Sequence, residues 1–162
     1  MECSNLLDVG CGEGYLTNLM YRQKNCQIVG IDIGEDVVRK ARLSFPYISF
    51  IKGSAYELPF NDNSFDFITA FEILEHLENP ETVLKEFKRV AKKWVAISVP
   101  KEPLWRILNV LRGRYLSKFG NTPGHNQHWS ANEFVRFVAE YFKIIEILKP
   151  IPWIIALCEV EK

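Results

Sequence analysis

Cysteine does little organising work in this chain. Cys3, Cys11, Cys26 and Cys158 form no Cys-x-x-Cys pair and no ligand-like cluster, which argues against structural zinc and against a disulfide framework. An excess of one charge is lacking too: twenty Lys and Arg balance twenty Asp and Glu. No dominant electrostatic drive toward nucleic acid or an anionic membrane surface follows from that balance. No apolar run is long enough to cross a bilayer, and no signal-peptide pattern precedes the first strand-like run. Internal repeats, low-complexity tracts and linkers are missing as well. These absences lead us to expect free thiols, a reducing cytoplasmic compartment and one globular domain over residues 1–162.

What the 162 residues do contain is apolar material, 48% hydrophobic and 13% aromatic, enough for a proper core. Short runs rich in β-branched and aromatic residues predict strands at Asn5 to Val9, Cys26 to Asp32, Ile48 to Lys52, Phe65 to Phe71 and Trp94 to Val99. Helical patterns fit between them. One starts at Asn79, an Asn cap followed by Pro80 and Glu81. Another starts at Ser130, where Ser-Ala-Asn-Glu133 reads as a capping box. Alternation of this kind predicts a doubly wound, mostly parallel α/β sheet. Lys143 to Leu148 and Trp153 to Val160 are joined at Lys149-Pro-Ile-Pro152 with no helix between them. They add a C-terminal antiparallel hairpin, for seven strands in all.

The stretch Leu6-Leu-Asp-Val-Gly-Cys-Gly-Glu-Gly14 runs an apolar strand into glycines at positions 10, 12 and 14, with Tyr15, Leu16, Leu19 and Met20 following at helical spacing. Strand, glycine turn and helix in this order bring backbone close to a flat or extended ligand. A dinucleotide fingerprint would need its third glycine at Tyr15. Glu13, where the helix begins, suits the positive end of the helix dipole but opposes a pyrophosphate there. Asp8 and Glu13 make the loop acidic. Asp32, closing Ile28-Val-Gly-Ile-Asp32, is placed to accept hydrogen bonds from a ribose diol.

Asp8-Val-Gly-Cys-Gly-Glu-Gly14, Ile28-Val-Gly-Ile-Asp32, Gly53-Ser-Ala-Tyr-Glu-Leu-Pro-Phe60 and Phe65-Asp-Phe-Ile-Thr-Ala-Phe-Glu-Ile-Leu-Glu-His-Leu77 together resemble the successive motifs of the Rossmann-like (class I) S-adenosylmethionine-dependent methyltransferases, type 11 small-molecule group. The resemblance extends through the terminal hairpin, and the helices that usually precede the first strand of that fold are absent. It implies a cofactor, S-adenosyl-L-methionine, held by Asp8, Gly10, Cys11, Gly12, Asp32, Ile33, Ser54, Ala55 and Phe71. A cofactor with an ammonium, a sulfonium and no phosphate suits an acidic loop. Ser54 departs from the family pattern, which often has an acidic residue there to bind the adenine amino group. Ser54 would do so more weakly through its hydroxyl, or would simply start a turn. Leu58, Pro59 and Phe60 would wall the ring or pack the loop.

Glu72, Glu75 and His76 resemble the Glu-x-x-Glu-His pattern that binds a divalent cation in ubiquinone-pathway O-methyltransferases and small-RNA 2′-O-methyltransferases. Many type 11 members carry the same letters with no metal, and we assign none, with magnesium or manganese on these three and a distant His128 as the alternative. Residues 101–129 read as a substrate-cover insertion, in which Trp105, Ile107, Leu108, Leu111, Tyr115 and Phe119 alternate with Arg106, Arg112, Arg114 and Lys118. That segment would cap an apolar or anionic acceptor, or form an ordinary amphipathic helix. His76, His125 and His128 are the candidates for acid/base work. The expected function is methyl transfer to a small-molecule acceptor by in-line displacement, with no nucleic-acid partner and with self-association left open. The alternatives are a non-catalytic or partner-dependent cofactor-binding domain lacking its N-terminal cover and, further off, an NAD-dependent oxidoreductase.

Overall fold

A computed structural model describes residues 3–23, 26–112 and 126–161. Its first half alternates β1 (Asn5–Val9), α1 (Tyr15–Gln23), β2 (Gln27–Asp32), α2 (Glu35–Ser44), β3 (Ser49–Lys52) and β4 (Phe65–Phe71). A 3-10 turn at Leu74–His76 leads into α3 (Pro80–Val90), β5 (Ala91–Pro100), α4 (Leu104–Leu111), α5 (Ala131–Ala139), β6 (Lys143–Leu148) and β7 (Trp153–Glu159). The seven strands form one sheet in the order β3-β2-β1-β4-β5-β7-β6. The first five pair in parallel, and β7 runs antiparallel between β5 and β6. This is the expected doubly wound α/β fold with its terminal hairpin. Strand order reverses between β1 and β4, so the crevice at their carboxyl ends is the topological switch point where ligands of such sheets lie.

Alternation along the parallel strands decides which side chains meet which helices. Leu7, Val9, Ile68, Ala70, Val95 and Ile97 face one way and are buried with Val83, Leu84 and Phe87 of α3 and Phe134 and Val138 of α5. The helical positions recur every three or four residues, the stripe that a surface helix buries. A smaller cluster of Cys11, Val38, Ala41, Ile48 and Phe50 fixes α2.

β5 is longer than the sequence pattern predicts, because Ala91 already pairs with Phe65 on the far side of a bulge between Phe65 and Phe67. The two helix starts divide. Ser130 makes the complete capping box, its hydroxyl accepting from the Glu133 N–H and its own N–H donating to Glu133 Oε2 at 2.9 Å. Asn79 occupies the cap position of α3 with Pro80 next, but its side chain makes no capping hydrogen bond. The Tyr56 hydroxyl instead accepts from the Glu78 and Asn79 N–H groups, at 3.1 and 3.3 Å. Ser130→Ala is expected to cost about 1 kcal/mol, a fall of about 2–4 °C in Tm for a domain of this size, read by thermal melts followed by circular dichroism.

Candidate functional site: a cleft at the strand switch

The glycine loop leaves β1 with Gly10, Gly12 and Gly14 all at positive φ (72°, 53° and 81°), a region that L side chains adopt at a cost. Their roles differ. A Cβ on Gly10 would collide with Ile73 of the opposite wall, and one on Gly14 would lie 2.6 Å from the Phe50 ring under α2. Gly14 therefore serves helix packing. A Cβ on Gly12 would meet nothing within 4 Å, so open space lies against its backbone.

Asp32 ties the loop to the next strand. Its Oδ2 accepts from the Gly12 N–H and its Oδ1 from the Gly34 N–H, each at 2.9 Å. Each carboxylate oxygen retains a further lone pair. Beside it a cleft of about 180 Å³ is lined by Gly10, Asp32, Ile33, Ser54, Ala55 and His76, with Val9, Ile31, Gly53, Tyr56, Ile73 and Leu77 completing the walls. Ligand pockets are commonly ~300–1,000 Å³, so the described walls surround one end of such a ligand. Ile33 is 72% exposed at the mouth, an apolar surface that a flat ring would cover. An apolar slot with one fixed carboxylate is the chemistry an adenosine requires: a ring to bury and a diol to hydrogen-bond.

Several residues expected at the cofactor, Ser54 of the cleft wall among them, also bond or pack within the protein. Asp8 is 3% exposed and accepts from Thr17 Oγ1 at 2.6 Å and Thr69 Oγ1 at 2.8 Å. Burial pushes its carboxyl up to about 6, against the pull of those two hydrogen bonds. It is a strut joining β1, α1 and β4 beneath the loop. The Cys11 thiol joins the cluster under α2, where burial, with Asp8 and Asp32 adding to it, raises it to about 12. The Ser54 hydroxyl accepts from the Tyr56 N–H at 3.2 Å, closing a turn. Phe71 is absent from the cleft walls. Glu13 pairs with Lys40 at 2.7 Å on the surface. Leu58 is buried and Phe60 stacks edge-on against Phe65, centroids 4.8 Å apart, so both pack the core.

At the end of β4, Glu72 accepts from Ser98 Oγ at 2.8 Å and from the Trp153 indole N–H at 2.9 Å. No group of three His, Cys, Asp or Glu suited to a metal is present among the described residues. Of the two described histidines, His76 lines the cleft. His128 Nδ1 lies 3.6 Å from Glu102 Oε1, and His125, Arg114, Tyr115, Lys118 and Phe119 lie outside the described residues. The sequence reading missed Thr17, Thr69 and Tyr56, whose partners lie 9 to 61 residues away in the chain.

A family profile described as a methyltransferase domain matches residues 7–97, from inside β1 to the middle of β5. The chain belongs to this family of S-adenosylmethionine-dependent methyltransferases. It is 39% identical over 92 residues to a ubiquinone biosynthesis O-methyltransferase of Hahella chejuensis, covering 54% of this chain and 38% of that protein. It is 31% identical over 116 residues to a demethylmenaquinone methyltransferase of Chlorobaculum tepidum, covering 72% and 48%. In fold it is similar to the crystal structure of a magnesium protoporphyrin IX methyltransferase from Synechocystis with bound S-adenosylhomocysteine, with a TM-score of 0.72, 17% identity, and 96% and 74% of the two chains covered. The methyltransferase domain thus spans about half or less of the length of these curated relatives. No helix among its described residues is long and apolar enough to cross a membrane.

In this methyltransferase domain, Gly10→Ala is expected to be costly twice over. The backbone strain is worth about 1–2 kcal/mol, and Ile73, part of the cleft wall, must shift. The affinity for S-adenosylhomocysteine, measured by calorimetry, is expected to fall about tenfold or more, since a displaced wall removes apolar contact worth at least ~1.4 kcal/mol.

Proposed function

We propose that this domain binds S-adenosylmethionine in the switch-point cleft and transfers its methyl group to a small-molecule acceptor by in-line displacement. The observation that carries the reading is Asp32, its carboxylate fixed by two backbone N–H groups beside an apolar slot. Bound there, the sulfonium supplies an activated methyl group and leaves as the neutral thioether. Asp32 would hold the ribose hydroxyls, the open backbone at Gly12 would admit the chain beyond the ribose, and Ile33, Ala55 and Leu77 would flank the ring. The residues contribute alignment and exclusion of water. A base is required only for an acceptor that starts protonated, and His76 is the imidazole on the cleft wall.

The names of the two quinone-pathway relatives make quinols and phenols the first acceptors to try, followed by small acids and lipid intermediates. Formation of S-adenosylhomocysteine dependent on one such acceptor is the expected result. Tight S-adenosylhomocysteine binding with no transfer to any acceptor would instead favour a cofactor-binding module that acts with a partner.

A further inference from the structure

The carboxyl ends of β4 and β5 carry three acidic side chains that cofactor binding does not use. Glu75 is 2% exposed, and its Oε2 has no hydrogen-bond partner. Burial, with the neighbouring Glu72 carboxylate adding to it, pushes Glu75 up to about 8. Glu72 itself is held at φ 59°, a strained backbone for a glutamate, with its carboxylate on Ser98 and Trp153. Both carboxylate oxygens of Glu102 are buried and without a hydrogen-bond partner, although Oε1 lies 3.6 Å from His128 Nδ1, an ion pair when that imidazole is protonated.

Main-chain bonds tie together the segments that carry these groups. The Asn126 and Gln127 N–H groups donate to the Glu75 carbonyl, the Glu102 N–H donates to the Trp129 carbonyl, and the Lys101 N–H donates to the Pro152 carbonyl next to Trp153. Trp105 lies 6.4 Å from Trp153, ring to ring. Buried carboxyl oxygens that lack donors are costly. Aromatic faces beside carboxylates are the environment that a cationic amine relieves, by hydrogen bonds or charge to the oxygens and by cation–π contact with the rings. A metal ion asks instead for three or more converging ligands, which the described residues do not supply.

We propose that the Glu72, Glu75 and Glu102 carboxyls, with Trp105 and Trp153, form a receptor for a positively charged amine on the methyl acceptor. The proposal rests on the methyl-transfer reading and narrows its acceptor: among quinols, phenols and the other candidates, one that also bears an amine, whose cation docks beside the cofactor cleft, whichever atom receives the methyl. The described part of the acceptor end is thus acidic and aromatic, where the arginines of the 101–129 segment suggest an anionic acceptor.

The test is ligand-observed NMR titration of the full chain, saturated with S-adenosylhomocysteine, using benzyltrimethylammonium, benzyl alcohol and 3-phenylpropanoate as probes. The cation is expected to bind about tenfold more tightly than the alcohol, and the carboxylate least. Glu102→Gln and Trp153→Leu are each expected to weaken the cation about fivefold or more while leaving the alcohol unchanged. The idea is overturned if the cation does not bind, if the alcohol or the carboxylate matches it, or if the folded variants bind the cation as the parent does. Should Glu102→Gln fail to fold, Trp153→Leu decides. Calorimetry with S-adenosylhomocysteine on the same samples tests the methyl-transfer reading separately. If that cofactor product does not bind, the cation titration of the cofactor-free protein still decides the receptor.

Discussion

Asp32→Ala is expected to remove measurable binding of S-adenosylhomocysteine while leaving the fold intact. In the parent, the carboxylate accepts from Gly12 and Gly34 at 2.9 Å and has lone pairs left for both ribose hydroxyls. Alanine takes away two charge-assisted hydrogen bonds to ligand, each worth about 1.5–3 kcal/mol, and frees the loop that forms one wall. The combined loss of ~3–6 kcal/mol corresponds to roughly 10²–10⁴ in affinity, read by isothermal titration calorimetry. Asp32→Asn keeps the shape but turns one acceptor into a donor facing a backbone N–H, so it is expected to fall between the two. The fold should persist because the sheet beneath is held by the apolar cluster of β1, β4 and β5, not by Asp32. An alanine variant that binds within threefold of the parent would remove Asp32 from the site.

The strands were legible because parallel strands buried on both faces are near-continuous apolar runs, and Leu6, Leu7 and Val9 or Val95, Ile97 and Val99 leave few other readings. The capping box at Ser130 was legible for a local reason: all its partners lie within three residues. Local spacing failed wherever the partner was distant. Glu13 reads as an acidic loop residue until Lys40, 27 positions on, is seen to pair with it. Asp8 reads as a residue of the cofactor loop, and its bonds to Thr17 and Thr69, 9 and 61 positions away, are invisible in the spacing. The buried Glu102 and its neighbour His128 come together only when the segment after β5 folds back. In each case hydrogen bonding across sheet layers, not the spacing of letters, sets the role of a polar side chain.

The second large effect concerns Glu75 and pH. Its carboxyl stands at about 8 in the folded chain against an ordinary 4.5. Between those values the native state retains a proton that the unfolded chain has released, so this group makes stability fall as pH rises from about 4.5 to about 8. Each unit is worth 1.36 kcal/mol, which sets the full effect at a few kcal/mol. Glu75→Gln keeps the shape and carries no charge at any pH. Its amide leaves a buried donor to be satisfied, at a cost of about 1–3 kcal/mol, and that cost does not vary with pH. The variant is therefore expected to gain on the order of 2 kcal/mol on the parent, about 4–8 °C in Tm, between pH 5 and pH 8.5. Asp8, raised to about 6 from 3.8, tilts stability in the same direction at lower pH but cancels from the comparison. Calorimetric melts of both proteins at the two pH values check it, and a Tm difference that does not change with pH would show that Glu75 titrates as an ordinary surface carboxyl. Above about pH 8, where Glu75 ionises, a bound cation would compensate its charge, so the substitution that steadies the fold at alkaline pH is also expected to weaken the amine receptor there.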